Sequence, residues 1–357
     1  MALTVNQKRK LKQTWTLLAV GTLLGPIYIV FSDGFKDIVP FINAIIIAFL
    51  VSGLIAVLEI WLLVKGIRRL SFIVVLILRT AIYLVLITTI IVNVLVVSRM
   101  IIYKLSYTEV LNSSEFQYFI YYEDFRIAIL YGLLFALSIN FTRTLSRKMG
   151  QGMLLSHITG TYFNPVKQER IFMFLNVYNS KVISEKLGPL NFHKFLNDLF
   201  YDVTDSIILH RGIIYEYVED LVVISWEMNK GIGDANCIRV FYHIQDKLEG
   251  LKEKYYARFD FFPKLRASVH CGQLIRAEIG DIKTQIVFHG DVMITTSRIL
   301  DKCHEMKVDL MVSANLLYRI ELPEMLMSES VGGISLKGKE IEVELFKITE
   351  KELVAIA

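Results

Sequence analysis

Few side chains in this sequence combine a reactive type with a suggestive position. Asp220 stands in the pair Glu219-Asp220 between two β-rich runs. A carboxylate there is either a plain turn residue or a hard oxygen ligand held at a hairpin tip. Gly290-Asp291 precedes a helical stretch, where Asp291 suits a cap that accepts from backbone amides, and Arg298 in the second turn suits a surface ion pair. His270, on an apolar strand, reads as a satisfied core histidine. Cys237, Cys271 and Cys303 have no metal-ligand spacing, and their odd number argues against a disulfide framework, which fits a reducing cytoplasmic location. Glu59 and Arg79 are charges inside otherwise apolar stretches.

The elements that must position these residues fall into two halves. The chain has 357 residues, 54% of them hydrophobic, too apolar for an ordinary soluble globule. The excess lies before residue 142. Four apolar stretches run from about Thr14 to Phe31, Phe41 to Val64, Leu70 to Met100 and Phe125 to Phe141. The first three are long enough for a hydrocarbon core of ~30 Å, which takes ~20 residues of helix. The fourth is short, and Phe116, Tyr118, Phe119 and Tyr121 can extend it through the interface. Lys8, Arg9, Lys10 and Lys12, then Lys65, Arg68 and Arg69, then Arg143, Arg147 and Lys148 flank one side, while Asp33, Asp37, Glu109, Glu115, Glu123 and Asp124 flank the other. The positive-inside rule puts both termini in the cytoplasm. The net charge of +4 is spent on this topology, so the sequence gives no sign of nucleic-acid binding. Glu59 and Arg79 lie roughly 9 and 15 Å deep in the cytoplasmic leaflet. Each can snorkel to the near interface, the simpler reading; a buried Glu59–Arg79 pair that sets helix packing or signal transfer is the alternative.

Residues 142–168, rich in Gly and ending near Asn164-Pro165, read as a linker to a soluble domain over 169–357. There the pattern gives a strand over Glu169–Tyr178, helices over Ser180–Leu187 and Asn191–Leu209, and a hairpin of Ile213–Val218 with Leu221–Trp226. A helix over Ala235–Tyr256 follows, then a strand over Leu265–His270 with a turn at Gly272. A second hairpin joins Leu274–Ile279 to Gln285–His289 around Gly280-Asp281. A helix over Asp291–Lys307 and strands over Asp309–Ser313 and Ile341–Ile348 close the domain. Hairpins mixed with crossovers indicate an α+β fold, a sheet with helices mainly on one face.

Four blocks in this half resemble the class III adenylyl and guanylyl cyclases, over about residues 168–320. They are Phe174-Leu175-Asn176-Val177, Tyr217-Val218-Glu219-Asp220, Ser268-Val269-His270-Cys271-Gly272 and Gly290-Asp291-Val292-Met293-Ile294-Thr295-Thr296-Ser297-Arg298. In the family they are a strand ending in aspartate, a Gly-Asp hairpin, a Gly-Ile-His-x-Gly strand and a Gly-Asp-x-Val-Asn-x-x-x-Arg helix start. The whole is similar to bacterial cyclases with four membrane helices. The resemblance implies an all-α four-helix transmembrane domain (1–141) and a ferredoxin-like α+β cyclase domain. It also implies a nucleoside triphosphate substrate, Mg or Mn held by two carboxylates, and a site shared across a dimer, one subunit giving an asparagine for the ribose and an arginine for the transition state.

Carried over residue by residue, the set is incomplete. Asp220 keeps one metal position and Arg298 the transition-state position. Asn176 replaces the other metal carboxylate, and Ile294 replaces the ribose-orienting asparagine. Glu219 stands for the hairpin glycine. The base-reading positions are Glu216 and Val287, both departed from the lysine and its Asp or Thr partner. Losing one metal carboxylate or one transition-state donor costs roughly two or three orders of magnitude in rate. The sequence therefore predicts a catalytically impaired, regulatory cyclase homologue, as a homodimer or with an intact partner, the alternative being an active adenylate or guanylate cyclase.

Overall fold

The computed structural model describes residues 5–32, 38–62, 72–122, 125–149, 164–280, 285–334 and 342–351. It divides into two compact units, Met1–Met149 and Gly150–Ala357.

The first unit is helical: α1 (Val5–Ser32), α2 (Ile38–Val57), α3 (Phe72–Tyr103), the short α4 (Tyr107–Asn112) and α5 (Ser114–Tyr122), and α6 (Phe125–Met149). Among the described residues, three segments are long and apolar enough to cross a membrane: Ile38–Ile60, Ile73–Tyr103 and Phe125–Thr142. Their outer faces expose Ile38, Ile77, Val85 and Leu134, the inverse of a helix built for water. The aromatic residues after residue 113 form the separate helix α5, with Phe116 buried, and do not lengthen the last span from within one helix. α1 packs on α2 through small residues. A Cβ at Gly21 would overlap the Ser52 Cβ, and one at Gly25 would overlap the Ala48 Cβ and lie 2.9 Å from the Ala44 carbonyl oxygen. Small residues at a four-residue spacing let two backbones approach this closely.

The snorkelling reading of Glu59 and Arg79 is corrected. α2 continues as a π-helical turn, Leu58–Leu62, which carries Glu59. Arg79 and Tyr83 of α3 donate to the Glu59 carboxylate, the guanidinium from 3.1 Å, and the three residues are 1%, 4% and 0% exposed respectively for Glu59, Arg79 and Tyr83. Away from water each of these two charges is compensated by the other. The flanking charges Asp33, Asp37, Lys65, Arg68, Arg69, Glu123 and Asp124, and the linker stretch 150–163, lie outside the described residues.

The second unit is a sheet of eight described strands with helices on it. Its elements are β1 (Val166–Val177), α7 (Ser180–Leu209), β2 (Ile213–Val218), β3 (Leu221–Glu227), α8 (Met228–Ile232), α9 (Asn236–Glu249), α10 (Lys252–Phe259), β4 (Leu265–Ile279), β5 (Gln285–His289), α11 (Asp291–Met306), β6 (Leu310–Ser313), α12 (Ala314–Leu317), β7 (Leu326–Ile334) and β8 (Val343–Glu350). The order is β2-β3-β1-β4-β6-β8-β7, with β5 on β4. Only β4–β6 is parallel among the described pairs. β1 is central and apolar without alternation because both its faces are covered. Ile171, Met173, Leu175 and Val177 enter the larger core under α7, α9 and α10, around Trp226, Phe195 and Phe241. Phe172 and Phe174 enter the smaller core under α11, with Val292, Ile299 and Cys303.

Two expectations about elements change. The chain does not turn at Gly272: β4 runs unbroken through it, and the glycine is there because a Cβ would press on the Val292 Cβ of α11 at 3.2 Å. The helix expected over Ala235–Tyr256 is two, α9 and α10. The break expected at Gly188-Pro189 is present: Gly188, at φ 71°, ψ 163°, is non-helical and divides α7 into two helical segments.

Candidate functional site

Asn176 and Asp220 are brought together by the sheet. β1 and β3 are antiparallel with Asn176 opposite Leu221, and the Val177 N–H donates to the Asp220 carbonyl at 3.2 Å. Asp220 sits in the two-residue turn that joins β2 to β3, where Val218 pairs with Leu221. Both side chains are half-buried. Glu219, exposed, takes φ 51°, the left-handed region that a glycine enters without cost.

β4 supplies residues that the motifs did not reveal. Arg266 lies directly opposite Asn176 in the β1–β4 register. It is 5% exposed, with its guanidinium 3.9 Å from the centre of the Tyr178 ring, Nη1 3.4 Å from His304 Nδ1, and Nε 3.8 Å from Asp309 Oδ1. Burial, and then the Arg266 charge, depress the His304 pKa, while Asp301 and Asp220 pull it the other way. The β1 and β4 strand ends and the β2–β3 turn thus bring the backbones of Asn176, Arg266 and Asp220 together. No sequence signal marks Arg266, because only strand register places it there.

α11 carries the other two positions. Its inner face, Val292, Thr295, Thr296, Ile299 and Cys303, is buried, and Thr295 Oγ1 donates to the Asp291 carbonyl at 2.9 Å. Ile294 is 57% exposed on the opposite face. Arg298, one turn on, is half-buried, 3.6 Å from Asp301. Among the described residues no hydrogen bond or ion pair joins Arg298 to Asn176 or Asp220. Of the base-reading positions, Glu216 is exposed on β2 and Val287 is 8% exposed on β5. Their neighbours meet: Tyr215 stacks on Phe288 with ring centres 4.6 Å apart, and the Phe288 N–H donates to Tyr215 Oη at 3.4 Å. Arg170 and Arg276 lie 5.3 and 5.6 Å from the same Phe288 ring centre.

The donor chemistry does not suit a pair of divalent ions. Two such ions ~4 Å apart repel by roughly 16 kcal/mol at an effective dielectric of ~20. Bridging carboxylates must offset this, and here one of the two is neutral. Among the described residues no group of three or more His, Cys, Asp or Glu could hold a metal ion. Asp220 with the Asn176 amide suits one ion that completes its shell with water or ligand oxygens. Thiol chemistry has no place here either: burial pushes Cys271 up to about 11 and Cys303 up to about 12, and raises Cys237 as well.

With this geometry in place, the chain can be set beside known proteins. No family model matches it. Adenylate cyclase 2 of Rhizobium meliloti (strain 1021) is 31% identical over 225 residues, 63% of this chain and 62% of that relative, so the chain spans less than two thirds of its relative's length. Two solved structures of a bacterial light-regulated adenylyl cyclase superpose with TM-scores of 0.52 and 0.51 at 17% identity, covering 61% and 62% of this chain and 64% and 65% of theirs. The second unit therefore has the catalytic-domain fold of class III nucleotidyl cyclases. The chain is a homologue of a protein named adenylate cyclase.

Proposed function

We propose that this chain is a membrane-anchored class III cyclase homologue of cyclic-nucleotide signalling whose own site turns over weakly or not at all, and which acts as a regulatory subunit. The observation that carries the reading is Ile294, exposed on α11 where a ribose-orienting amide would be needed, together with Asn176 beside Asp220. Cyclisation requires the ribose 3′-hydroxyl to attack the α-phosphorus as pyrophosphate leaves. An aliphatic side chain cannot hydrogen-bond the ribose, so the attacking oxygen loses its alignment. Arg298 is the remaining group able to stabilise negative charge on the phosphoryl oxygens, as part of a site completed by a second subunit. That subunit is another copy or an intact cyclase. In this reading a nucleoside triphosphate is a ligand even where it is not turned over.

In this reading the first unit crosses the bacterial inner membrane four times with both termini in the cytoplasm. The Gly21–Gly25 seam against Ala44, Ala48 and Ser52 supports counting α1 as a span, and the Lys and Arg flanks support the orientation.

The name of the 31% identical relative favours a second reading, an active adenylate cyclase. One experiment separates them. Detergent-solubilised full chain is incubated with Mn²⁺ and ATP, or GTP, and cyclic nucleotide and pyrophosphate are measured. The expected result is no product above background. Clear turnover that Asp220→Ala abolishes would overturn the regulatory reading in favour of the enzyme.

A further inference from the structure

We propose that Arg99, near the C-terminal end of α3, binds the phosphodiester of an anionic phospholipid headgroup, with the aromatic helix α5 holding its guanidinium at the bilayer surface. The inference lies outside the cyclase pocket and rests on reading the first unit as membrane-spanning.

α3 carries two charges along its apolar length, Arg79 and Arg99. Arg79 meets the Glu59 carboxylate. Arg99 meets no carboxylate among the described residues; its guanidinium lies 5.2 Å from the centre of the Phe116 ring and 5.8 Å from that of Phe119. Of the acids on α4 and α5, Glu109 is engaged in a capping box, accepting from the Ser106 N–H at 2.7 Å, and Glu115 is exposed. Val96, Val110 and Phe116 pack together, with Met100 and Ile120 against them, and fix α5 to the end of α3 beside the half-buried Arg99. A guanidinium stacked on rings keeps the N–H donors at its edge for oxygen acceptors, and a phosphate accepts two of them in parallel.

Height in the bilayer decides which phosphate. The apolar segment Ile73–Tyr103 has 31 residues. That is ~46 Å of helix, close to the ~40–45 Å of a bilayer with its headgroups. Arg99 stands ~6 Å before the end of this segment, at headgroup level. Beyond it the surface stays apolar, with Ile101, Tyr103, Tyr118 and Tyr121 all more than half exposed. Tyrosines gather at the headgroup level of a bilayer, and an apolar patch of this kind marks a surface that is covered. A free phosphate gains nothing from these side chains, whereas the acyl chains of a lipid gain an apolar surface to lie on.

The test counts bound lipid. Detergent-solubilised full chain is incubated with phosphatidylglycerol or phosphatidylcholine, and native mass spectrometry follows the lipids each chain retains. Wild type is expected to prefer phosphatidylglycerol. Arg99→Gln is expected to bind one phosphatidylglycerol about fivefold more weakly, the share of one basic residue at a membrane surface. Arg99→Lys keeps the charge and is expected to keep most of the preference. Lys104→Gln, which removes a neighbouring exposed cation, is expected to leave it unchanged. Wild-type binding in Arg99→Gln, or an equal loss in Lys104→Gln, would overturn the site. A loss in Arg99→Lys as large as in Arg99→Gln would assign the effect to the packing of α5 and overturn it too. Displacement of the lipid by inorganic phosphate at constant ionic strength would overturn the choice of a lipid ligand. Release of the chain from vesicles by sodium carbonate would remove the membrane reading itself, and the inference with it.

Discussion

Arg79 Nη1 lies 3.1 Å from both oxygens of the Glu59 carboxylate, across two helices of the membrane unit, with both side chains almost fully buried. Tyr83 donates to the same carboxylate. Taking two charges out of water is costly, and the pair persists because each charge compensates the other.

Removing one partner strands the other. Glu59→Gln or Arg79→Gln is expected to destabilise the full chain by roughly 3–5 kcal/mol, the usual cost of a buried unpaired charge. Replacing both with methionine is expected to recover most of that loss. Thermal unfolding in detergent measures both, and equal melting temperatures for wild type and the single variants would contradict a buried pair.

The α1–α2 seam makes a steric prediction. Gly25→Leu has to push α1 away from Ala48 and from the Ala44 carbonyl, at a cost of roughly 1–3 kcal/mol for overpacking. Gly53→Ala is the control, since the nearest atom to its Cβ would be Leu18 Cδ1 at an ordinary 3.5 Å. Cysteine cross-linking of α1 to α2 should weaken in the first variant and persist in the second.

The β2–β3 turn carries a residue in a strained conformation. Glu219 at φ 51° sits where a glycine is free of Cβ clash, and a non-glycine residue there costs roughly 1–2 kcal/mol. Glu219→Gly relieves that strain but adds the entropy of a more flexible unfolded chain. The expected balance is a gain of about 0.5–1 kcal/mol, read as a rise in denaturation midpoint.

Sequence pattern reaches some of this and not the rest, for identifiable reasons. The apolar spans were legible because length and hydropathy alone define them. Whether Glu59 pairs or snorkels depends on how α2 and α3 are rotated against each other, which periodicity does not encode. β1 was legible as an apolar run. β7 was missed because LMSESVGGI is polar and glycine-rich, an edge strand held by its β8 pairing and not by apolar content. Gly272 was read as a turn because glycine usually marks one, whereas here it clears space for Val292. The Asn176–Asp220 proximity followed from motif order. Arg266 did not, since a one-residue slip of β4 would turn it to the other face.

The soluble unit should lose stability in mild acid. His210 at the end of α7 is half-buried, and this desolvation lowers its pKa from 6.5; a contact to Asn236 at 3.1 Å works the other way, and His243 and Arg239 lower it further. Because the folded pKa is depressed, the unfolded chain takes up the proton first as pH falls through 6.5. Stability is therefore full above that value and declines below it. His304, lowered by burial and by Arg266, acts in the same direction. Melting temperatures of the full chain at pH 7.5 and 5.5 should differ, and His210→Asn should reduce the difference. A melting temperature independent of pH would contradict the lowered pKa of this imidazole.

The strongest test of the site is to restore it. Asn176→Asp returns a carboxylate beside Asp220, and Ile294→Asn returns an amide to the exposed face of α11, one turn before Arg298. Neither change disturbs a core, since position 176 is half-buried and position 294 is 57% exposed. Each lost group is worth roughly two or three orders of magnitude in rate, although cooperating residues do not add independently. Either single variant should change cyclic-nucleotide formation little, because the other defect remains limiting. The double variant should raise it by at least about a hundredfold over wild type, and adding Asp220→Ala or Arg298→Ala should remove the gain. A double variant as silent as the parent would mean that these positions do not face a common substrate, and that the fold has been kept for its surfaces and not for its pocket.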